Sequence, residues 1–156
     1  MNGNQRKERQ IRDLDERLDD WLRELQEDAE AVAKEFQDAA YASRDNENSS
    51  KWFRYMVRVR TPEKTGKRGV SIEWLKSRWQ RVAGKNTFRA DYVRKGPKHR
   101  YNTHLFKPVD SQEGKLIENA EDQFERIREE VALIGSLRKV MANSRRNDKR
   151  RKEEGK

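Results

Sequence analysis

The sequence has no cysteine, which excludes disulfide bonds and any metal site built on thiolate ligands. It also has no apolar run that approaches the roughly 18 residues of a membrane span. The first residues are polar and basic, and no apolar stretch follows them, so we expect no signal peptide. Together these absences favour a soluble cytoplasmic protein.

Hydrophobic residues are scarce. They make up 32% of the 156 residues, while charged residues make up 42%. Globular domains average roughly 45–50% and about 25%, respectively. Such a chain cannot bury a large core, which argues against a compact enzyme barrel or a doubly wound sheet. Full disorder is also disfavoured, because four tryptophans, four tyrosines and five phenylalanines are costly to leave in water.

The charge is divided unevenly along the chain. Residues 1–50 hold 8 basic and 14 acidic residues, a net charge of −6. Residues 51–108 hold 17 basic and 3 acidic residues, a net charge of +14, and residues 109–156 are close to neutral. A basic middle between an acidic and a near-neutral segment is typical of a polyanion-binding module carried on a separate scaffold.

Apolar residues at helical spacing predict a long helix at each end of the chain. The acidic segment 1–43 contains a stripe that begins Ile11, Leu14, Leu18. Asp110 or Ser111 is expected to cap a second helix over residues 110–142. After residue 142 the apolar pattern stops, so residues 143–156 are predicted to be a basic disordered tail.

The basic segment 51–108 reads as a small sheet with loops. Residues 51–60 alternate strictly, with Phe53, Tyr55, Val57 and Val59 expected on the buried face. Further strands are predicted over 70–79 and around residues 88–92, separated by a turn at 83–86. The predicted fold class is therefore α+β: a long N-terminal helix, a three-stranded antiparallel β-meander and a long C-terminal helix. The two helices are expected to pack antiparallel with each other or to form a homodimer.

Exposed arginines on the sheet are the first candidate site. With the apolar face of the first strand buried, Arg54, Arg58 and Arg60 would lie in a row on the open face, where guanidinium groups suit phosphates. Lys76 and Arg78 would join them if the second strand bends. The aromatic residues proposed for base stacking are Trp52, Trp79 and Tyr101. The alternative interpretation is a solvated strand face.

Two basic loops are the second candidate. They contribute Lys67 and Arg68 from the first loop, and Lys95, Lys98 and Arg100 from the second, to a predicted set of phosphate contacts. The first loop lacks the spacing of a P-loop, so nucleotide hydrolysis is not indicated. Ordinary exposed loops are the alternative. The basic tail could likewise add electrostatic affinity for nucleic acid or contact nothing.

No arrangement in the sequence indicates catalysis. His99 and His104 flank Tyr101, but a metal site needs three or four ligands, and the basic middle offers only three carboxylates. We therefore expect a protein that is not an enzyme and that carries no metal or other cofactor.

Short motifs in the middle and in the second helix resemble a known family. They are Val57-Arg58-Val59-Arg60, Ser71-Ile72-Glu73-Trp74 followed by Arg78-Trp79, Tyr92-Val93-Arg94-Lys95-Gly96, Arg100-Tyr101 leading to Leu105-Phe106, and the run from Glu121 to Arg128. Over roughly residues 50–135 the chain resembles the MobI-like conjugative transfer proteins, the mobilisation accessory proteins of integrative conjugative elements and related plasmids.

The resemblance implies an accessory factor that binds DNA at the origin of transfer, assists a separate relaxase and does not cut DNA. It places Arg58, Arg60, Trp74, Arg78, Lys95, Arg100 and Tyr101 in the shared part. Two alternatives stay open. In one, the long helices recruit a protein partner and the sheet is only solvated. In the other, Trp52, Trp79 and Tyr92 stack on single-stranded nucleic acid or RNA.

Overall fold

The computed structural model describes residues 1–61 and 69–155. Its order of elements is α1 (Gly3–Ser43), β1 (Tyr55–Arg60), β2 (Ser71–Val82), β3 (Lys85–Tyr92) and α2 (Ser111–Glu154). The strands form one antiparallel sheet in the order β1-β2-β3. This confirms the predicted α+β class and the predicted order of elements. Lys67 and Arg68, both predicted to contact phosphates, lie outside the described residues.

Side-chain caps explain where both helices begin. Asn2 accepts a hydrogen bond from the Gln5 N–H, and the Gln5 side chain accepts one from the Asn2 N–H, which forms a capping box. At the second helix Asp110 Oδ1 accepts from the Glu113 N–H at 2.8 Å. Asp110 is therefore the N-cap residue, and it is one of the two residues predicted for this position.

The two helices pack antiparallel within one chain, the first of the two predicted arrangements. Leu18, Leu22 and Leu25 of α1 are buried, as are Ile127 and Ile134 of α2. Ion pairs at the end away from the sheet fix the direction, because they join the start of α1 to the end of α2; these pairs are Lys7–Asp148, Glu8–Arg145 and Asp15–Arg138.

The second helix is longer than predicted. It continues to Glu154, whereas residues 143–156 were predicted to be disordered. The segment lacks an apolar stripe, but its arginine, lysine and glutamate residues favour helix. Its side chains also contact α1: the hydrogen bond from Lys7 lowers the pKa of Asp148, and Arg145 pairs with Glu8. Interhelical ion pairs thus replace apolar contacts at this end.

The core lies where the sheet meets the helices. Tyr55, Val57 and Val59 of β1 are buried, which confirms the predicted facing of that strand. Trp74 of β2 is fully buried, with its ring centroid 4.9 Å from that of Phe36 and 6.2 Å from that of Phe124. Both ring pairs have edge-to-face geometry, which stabilises aromatic contacts. Across the described residues, no helix is long and apolar enough to cross a bilayer.

Candidate nucleic-acid interface

The sheet is offset, and the offset creates a projecting β-hairpin. β1 pairs with residues Ser71 to Lys76 of β2, while β3 pairs with residues Leu75 to Val82. Beyond Ser77, β2 therefore has β3 as its only strand neighbour among the described residues. Every residue of β3 is exposed, and so is β2 from Arg78 onward. We call residues 77–90 the hairpin arm; at about 3.3 Å per residue it extends roughly 20 Å past the end of β1.

A two-residue turn closes the arm. Ala83 and Gly84 both have positive φ, 51° and 80°. Two central residues with φ above zero form the type I′ turn, whose twist matches that of the flanking strands. The predicted turn at residues 83–86 is thus present but tighter, and the strands run almost to its tip.

One face of the arm is polar and basic. The register places Arg78 opposite Arg89, Gln80 opposite Thr87, and Val82 opposite Lys85. Because Lys76 pairs with Tyr55, this face continues the buried face of the sheet rather than the face of Arg58 and Arg60. The expectation that Lys76 and Arg78 join those arginines is therefore wrong. Both are exposed because they lie past the helices that cover the rest of the face.

The cations of the arm are largely unpaired. Arg78 Nε lies 3.3 Å from Asp91 Oδ2. Across residues 1–61 and 69–155, no carboxylate forms an ion pair with Arg81, Lys85 or Arg89, nor with Lys76 at the root of the arm. Arg78 and Arg89 face each other directly, and like charges in that position destabilise a sheet by about 0.2–1 kcal/mol. The exposed Asp91 carboxylate offsets part of this cost at Arg78 but not at Arg89, so the two arginines are candidates for binding an anion.

The opposite face of the arm is aromatic. Trp79 stands opposite Phe88, with ring centroids 5.4 Å apart, and the two residues are 59% and 40% exposed. Tyr92 continues this face toward β1 and is also exposed. The arm thus separates its charges from its rings, and the predicted stacking residue Trp79 is accessible.

Arg58 and Arg60 lie on the same side of the sheet as this aromatic face and share one carboxylate. Arg58 Nη2 lies 3.0 Å from Glu73 Oε2, and Arg60 Nη1 lies 3.9 Å from Glu73 Oε1. The hydrogen bond to Glu73 raises the pKa of Arg58, whose guanidinium also contacts Tyr92. Glu73 cancels one of the two charges. Arg54, the residue just before β1, is exposed, with Nη1 3.4 Å from the Lys107 carbonyl oxygen.

Arg100 and Tyr101 belong to the scaffold, which corrects their predicted roles. Arg100 contacts three carboxylates of α2, those of Glu118, Asp122 and Glu125. Burial lowers its pKa, but these hydrogen bonds outweigh that effect and raise it. Tyr101 is only 5% exposed, and its ring is therefore not accessible for stacking on a base. The sequence could not show that α2 presents its acids to this loop.

Replacement of Arg100 by alanine distinguishes a structural role of this residue from the predicted phosphate contact. We expect the free energy of unfolding to fall by about 1 kcal/mol, because the ion pairs are partly exposed. The affinity for DNA should not change. Urea denaturation and a binding titration measure the two quantities, with Arg100→Lys as the control that keeps the charge. A loss of DNA affinity without a loss of stability would restore the predicted phosphate contact.

The remaining predicted residues lie at the edges of the site. Trp52 is half-buried, and its Nε1 donates to the Asn46 carbonyl oxygen at 2.8 Å. Lys95 folds back on its own loop and donates to the Gly96 carbonyl oxygen, while Lys98 is exposed. His99 and His104 are exposed, and the described residues contain no group of three or more side chains suited to hold a metal ion.

Buried acids on α2 hold the sheet and its loops in place, and sequence reasoning did not find them. Glu121 is fully buried and forms a two-pronged ion pair with Arg128, with both N–O distances 3.0 Å. Glu121 also accepts from Trp74 Nε1 at 2.7 Å and from the Tyr101 N–H at 2.9 Å. The sequence does contain one indication of this pair: Glu121 and Arg128 are seven residues apart, which places them two turns apart on one face of the helix.

Glu113 performs a similar task at the start of α2. Its carboxylate accepts hydrogen bonds from the backbone N–H groups of Arg54, Tyr55 and Val109, at 2.8 to 3.0 Å. Burial raises the pKa of Glu113, against the opposing effect of these three donors. The position of β1, and with it the origin of the arm, is therefore set by contacts from α2.

Comparison with known proteins gives a family match. The family described as MobI protein matches residues 25–142, a range that includes the buried Glu121–Arg128 pair and the whole hairpin arm. Neither the curated proteins nor the solved structures contain a match. Since the match covers well over half of the chain, the protein belongs to the MobI family and is a mobilisation-related protein.

Proposed function

We propose that this protein is a DNA-binding accessory factor of conjugative transfer, which binds duplex DNA in the origin-of-transfer region and assists a separate relaxase. Membership of the MobI family supports a role in conjugative transfer, and the basic face of the hairpin arm supports the contact with DNA. The observation that carries the proposal is the exposed cross-strand pair of Arg78 and Arg89. Such a pair costs folding free energy, and a polyanion placed between the guanidinium groups offsets that cost.

The shape of the arm fits the major groove, which admits a two-stranded β-ribbon. Its polar face places two arginines beside Gln80 and Thr87. Arginine pairs with guanine through two hydrogen bonds, and glutamine pairs with adenine in the same way. This face therefore reads bases, while the cations near the root of the arm hold the phosphate backbone; they are Arg54, Arg60, Lys76 and Lys98.

Cutting of the DNA is left to the relaxase in this proposal. The protein binds the DNA site, and it either distorts the DNA locally or provides a surface on which the relaxase docks. Its acidic helix α1 has 12 acidic and 7 basic residues and faces away from the DNA phosphates, which repel it. This division of charge orients the molecule on the duplex, with the sheet end toward the DNA.

The test is a salt titration of binding by fluorescence anisotropy. The probes are a duplex from the origin of transfer of the same element, a scrambled duplex and the matching single strand. We expect the tightest binding to the origin duplex, and a slope of log affinity against log salt that corresponds to several phosphates, about 0.9 per phosphate. Equal affinity for both duplexes would limit the protein to non-specific binding. No binding to any probe at low salt would overturn the DNA proposal and favour a protein partner for the helices.

A second candidate function is binding of single strands, and the aromatic face of the arm favours it. Trp79, Phe88 and Tyr92 present accessible rings, on which bases stack with about 1–3 kcal/mol each. Preference for the single strand in the same titration would select this function. Of the four tryptophans, Trp79 is the most exposed, so quenching of its fluorescence would report on such stacking.

A further inference from the structure

The aromatic face of the hairpin arm carries rings at two positions. Trp79 and Phe88 form the first, with ring centroids 5.4 Å apart. Tyr92, which pairs with Leu75 in the sheet, forms the second, and its side chain is 61% exposed. Tyr92 lies four residues after Phe88 on β3, so the two positions are about 13 Å apart at about 3.3 Å per residue.

Small side chains lie between the two ring positions. The register pairs Ser77 with Ala90, and both residues are on the same face of the sheet as the rings. Their side chains are much shorter than the rings on either side of them. This face therefore has a depression between two sets of rings, and the depression is open to solvent because Ala90 is exposed. A flat group such as a base can enter it and lie against a ring.

Arginines lie at both ends of the aromatic face. Arg81, near the tip of the arm, is exposed. At the root, the guanidinium carbon of Arg58 lies 5.2 Å from the centroid of the Tyr92 ring, and Arg60 follows on the same strand. Among the described strand residues of this face, these three arginines are accompanied by one carboxylate, that of Glu73. The net charge of the face is therefore positive, and it complements a polyanion.

Rings at these positions select bases that have left the double helix. In a duplex the bases follow one another at about 3.4 Å along each strand, so their flat surfaces are covered by their neighbours. An unpaired strand exposes these surfaces, and aromatic side chains stack on them. Ring positions about 13 Å apart suit bases of an extended strand. Together with the flanking arginines, they identify single-stranded DNA as the occupant of this face.

We propose that the two faces of the hairpin arm act together, and that the ligand is a junction between duplex and single-stranded DNA. The polar face, with Arg78 and Arg89, points away from the rings because successive residues of a strand alternate between faces. A duplex on the polar face leaves the aromatic face free for a strand that separates from the same duplex. The inference rests on the proposed duplex contact and goes beyond it, since each candidate function above uses one face alone.

Fluorescence anisotropy with three labelled probes and the full chain tests this inference. The first probe is a forked duplex from the origin of transfer, whose two strands are unpaired at one end. The second is a blunt duplex with the same number of phosphates, and the third is the single strand alone. Two sites that bind one ligand at once increase its affinity strongly. We therefore expect the wild type to bind the forked duplex at least about tenfold more tightly than either other probe.

Replacement of both rings by threonine separates the two faces. Threonine favours strands and forms stabilising cross-strand pairs, so Trp79→Thr with Phe88→Thr should retain the arm and the wild-type affinity for the blunt duplex. Its preference for the forked duplex should disappear. Trp79→Tyr with Phe88→Tyr keeps a ring at each position and should keep the preference. The control is Tyr41→Ala, which removes a ring that is 60% exposed on α1 and should have no effect.

Three results would overturn the inference, and they differ in what they leave intact. If the wild type binds the forked and blunt duplexes equally, or if the threonine variant keeps the preference, the aromatic face holds no strand, while the duplex proposal stands. If the threonine variant loses affinity for both duplexes by the same factor, the two faces do not act separately. If the wild type binds the single strand but not the blunt duplex, the duplex proposal fails as well, and the second candidate function is selected.

Discussion

Glu121→Ala is expected to destabilise the protein by about 3–5 kcal/mol, which is a large part of the total stability of a small domain. The variant leaves the guanidinium group of Arg128 buried without its carboxylate. It also removes the acceptor for Trp74 Nε1 and for the Tyr101 N–H. Urea denaturation followed by far-ultraviolet circular dichroism measures the change.

The matched control is Glu118→Ala, one turn earlier on the same helix. Glu118 pairs with Arg100 but is exposed, so its loss should cost no more than about 1 kcal/mol. Glu121→Gln should fall between the two, because the amide keeps an acceptor but loses the charge that balances Arg128. Equal effects of Glu118→Ala and Glu121→Ala would contradict the central role of the buried ion pair.

Arg78→Ala combined with Arg89→Ala is expected to reduce affinity for the origin duplex by at least about thirtyfold. Each arginine that contacts a base through two hydrogen bonds contributes about 1–3 kcal/mol. The salt dependence of the remaining binding should become shallower as well. At the same time the stability of the fold should change by less than about 1 kcal/mol, because the gain from removing a pair of like charges opposes the loss of the exposed Arg78–Asp91 ion pair.

A loss of binding without a loss of stability is expected of residues that contact the ligand, and a control variant separates this effect from that of net charge. Arg9→Ala with Arg12→Ala removes the same charge from exposed positions of α1. It should leave the affinity nearly unchanged. If both double variants lose affinity equally, the protein binds through its net charge alone. If neither does, the arm does not contact DNA.

Much of the fold was predictable because its signals are local. Strict alternation located β1, helical spacing located α1, and the cap at Asp110 located the start of α2. The end of α2 was not predictable, since it depends on ion pairs with residues more than a hundred positions away, such as Lys7 with Asp148. A local sequence pattern indicates apolar contacts, but it gives no information about ion pairs between residues that are distant in the sequence.

The site was predictable in composition but not in geometry. The excess of positive charge in residues 51–108 indicates this segment as the candidate site. Which cations are accessible depends on the register of strand pairing, because a shift of one residue moves every side chain of a strand to the other face of the sheet. Arg100 was assigned to phosphate because the acids of α2 that hold it lie 18 or more positions further along. The sequence alone does not single out Arg89, because its importance comes from its position opposite Arg78 in the sheet.

The offset between β1 and β3 has a consequence for association between chains. In the part of the chain that the structure describes, the backbone of β2 beyond Ser77 has no strand on the side that β1 occupies, so that part of the sheet has an open edge. Open edges recruit strands from other molecules and lead to aggregation unless charge or twist prevents it. The same arginines and lysines that we assign to DNA repel a second arm at this edge. The DNA contact that we propose would neutralise these charges, and we therefore expect arms of neighbouring molecules to approach each other only in the bound state.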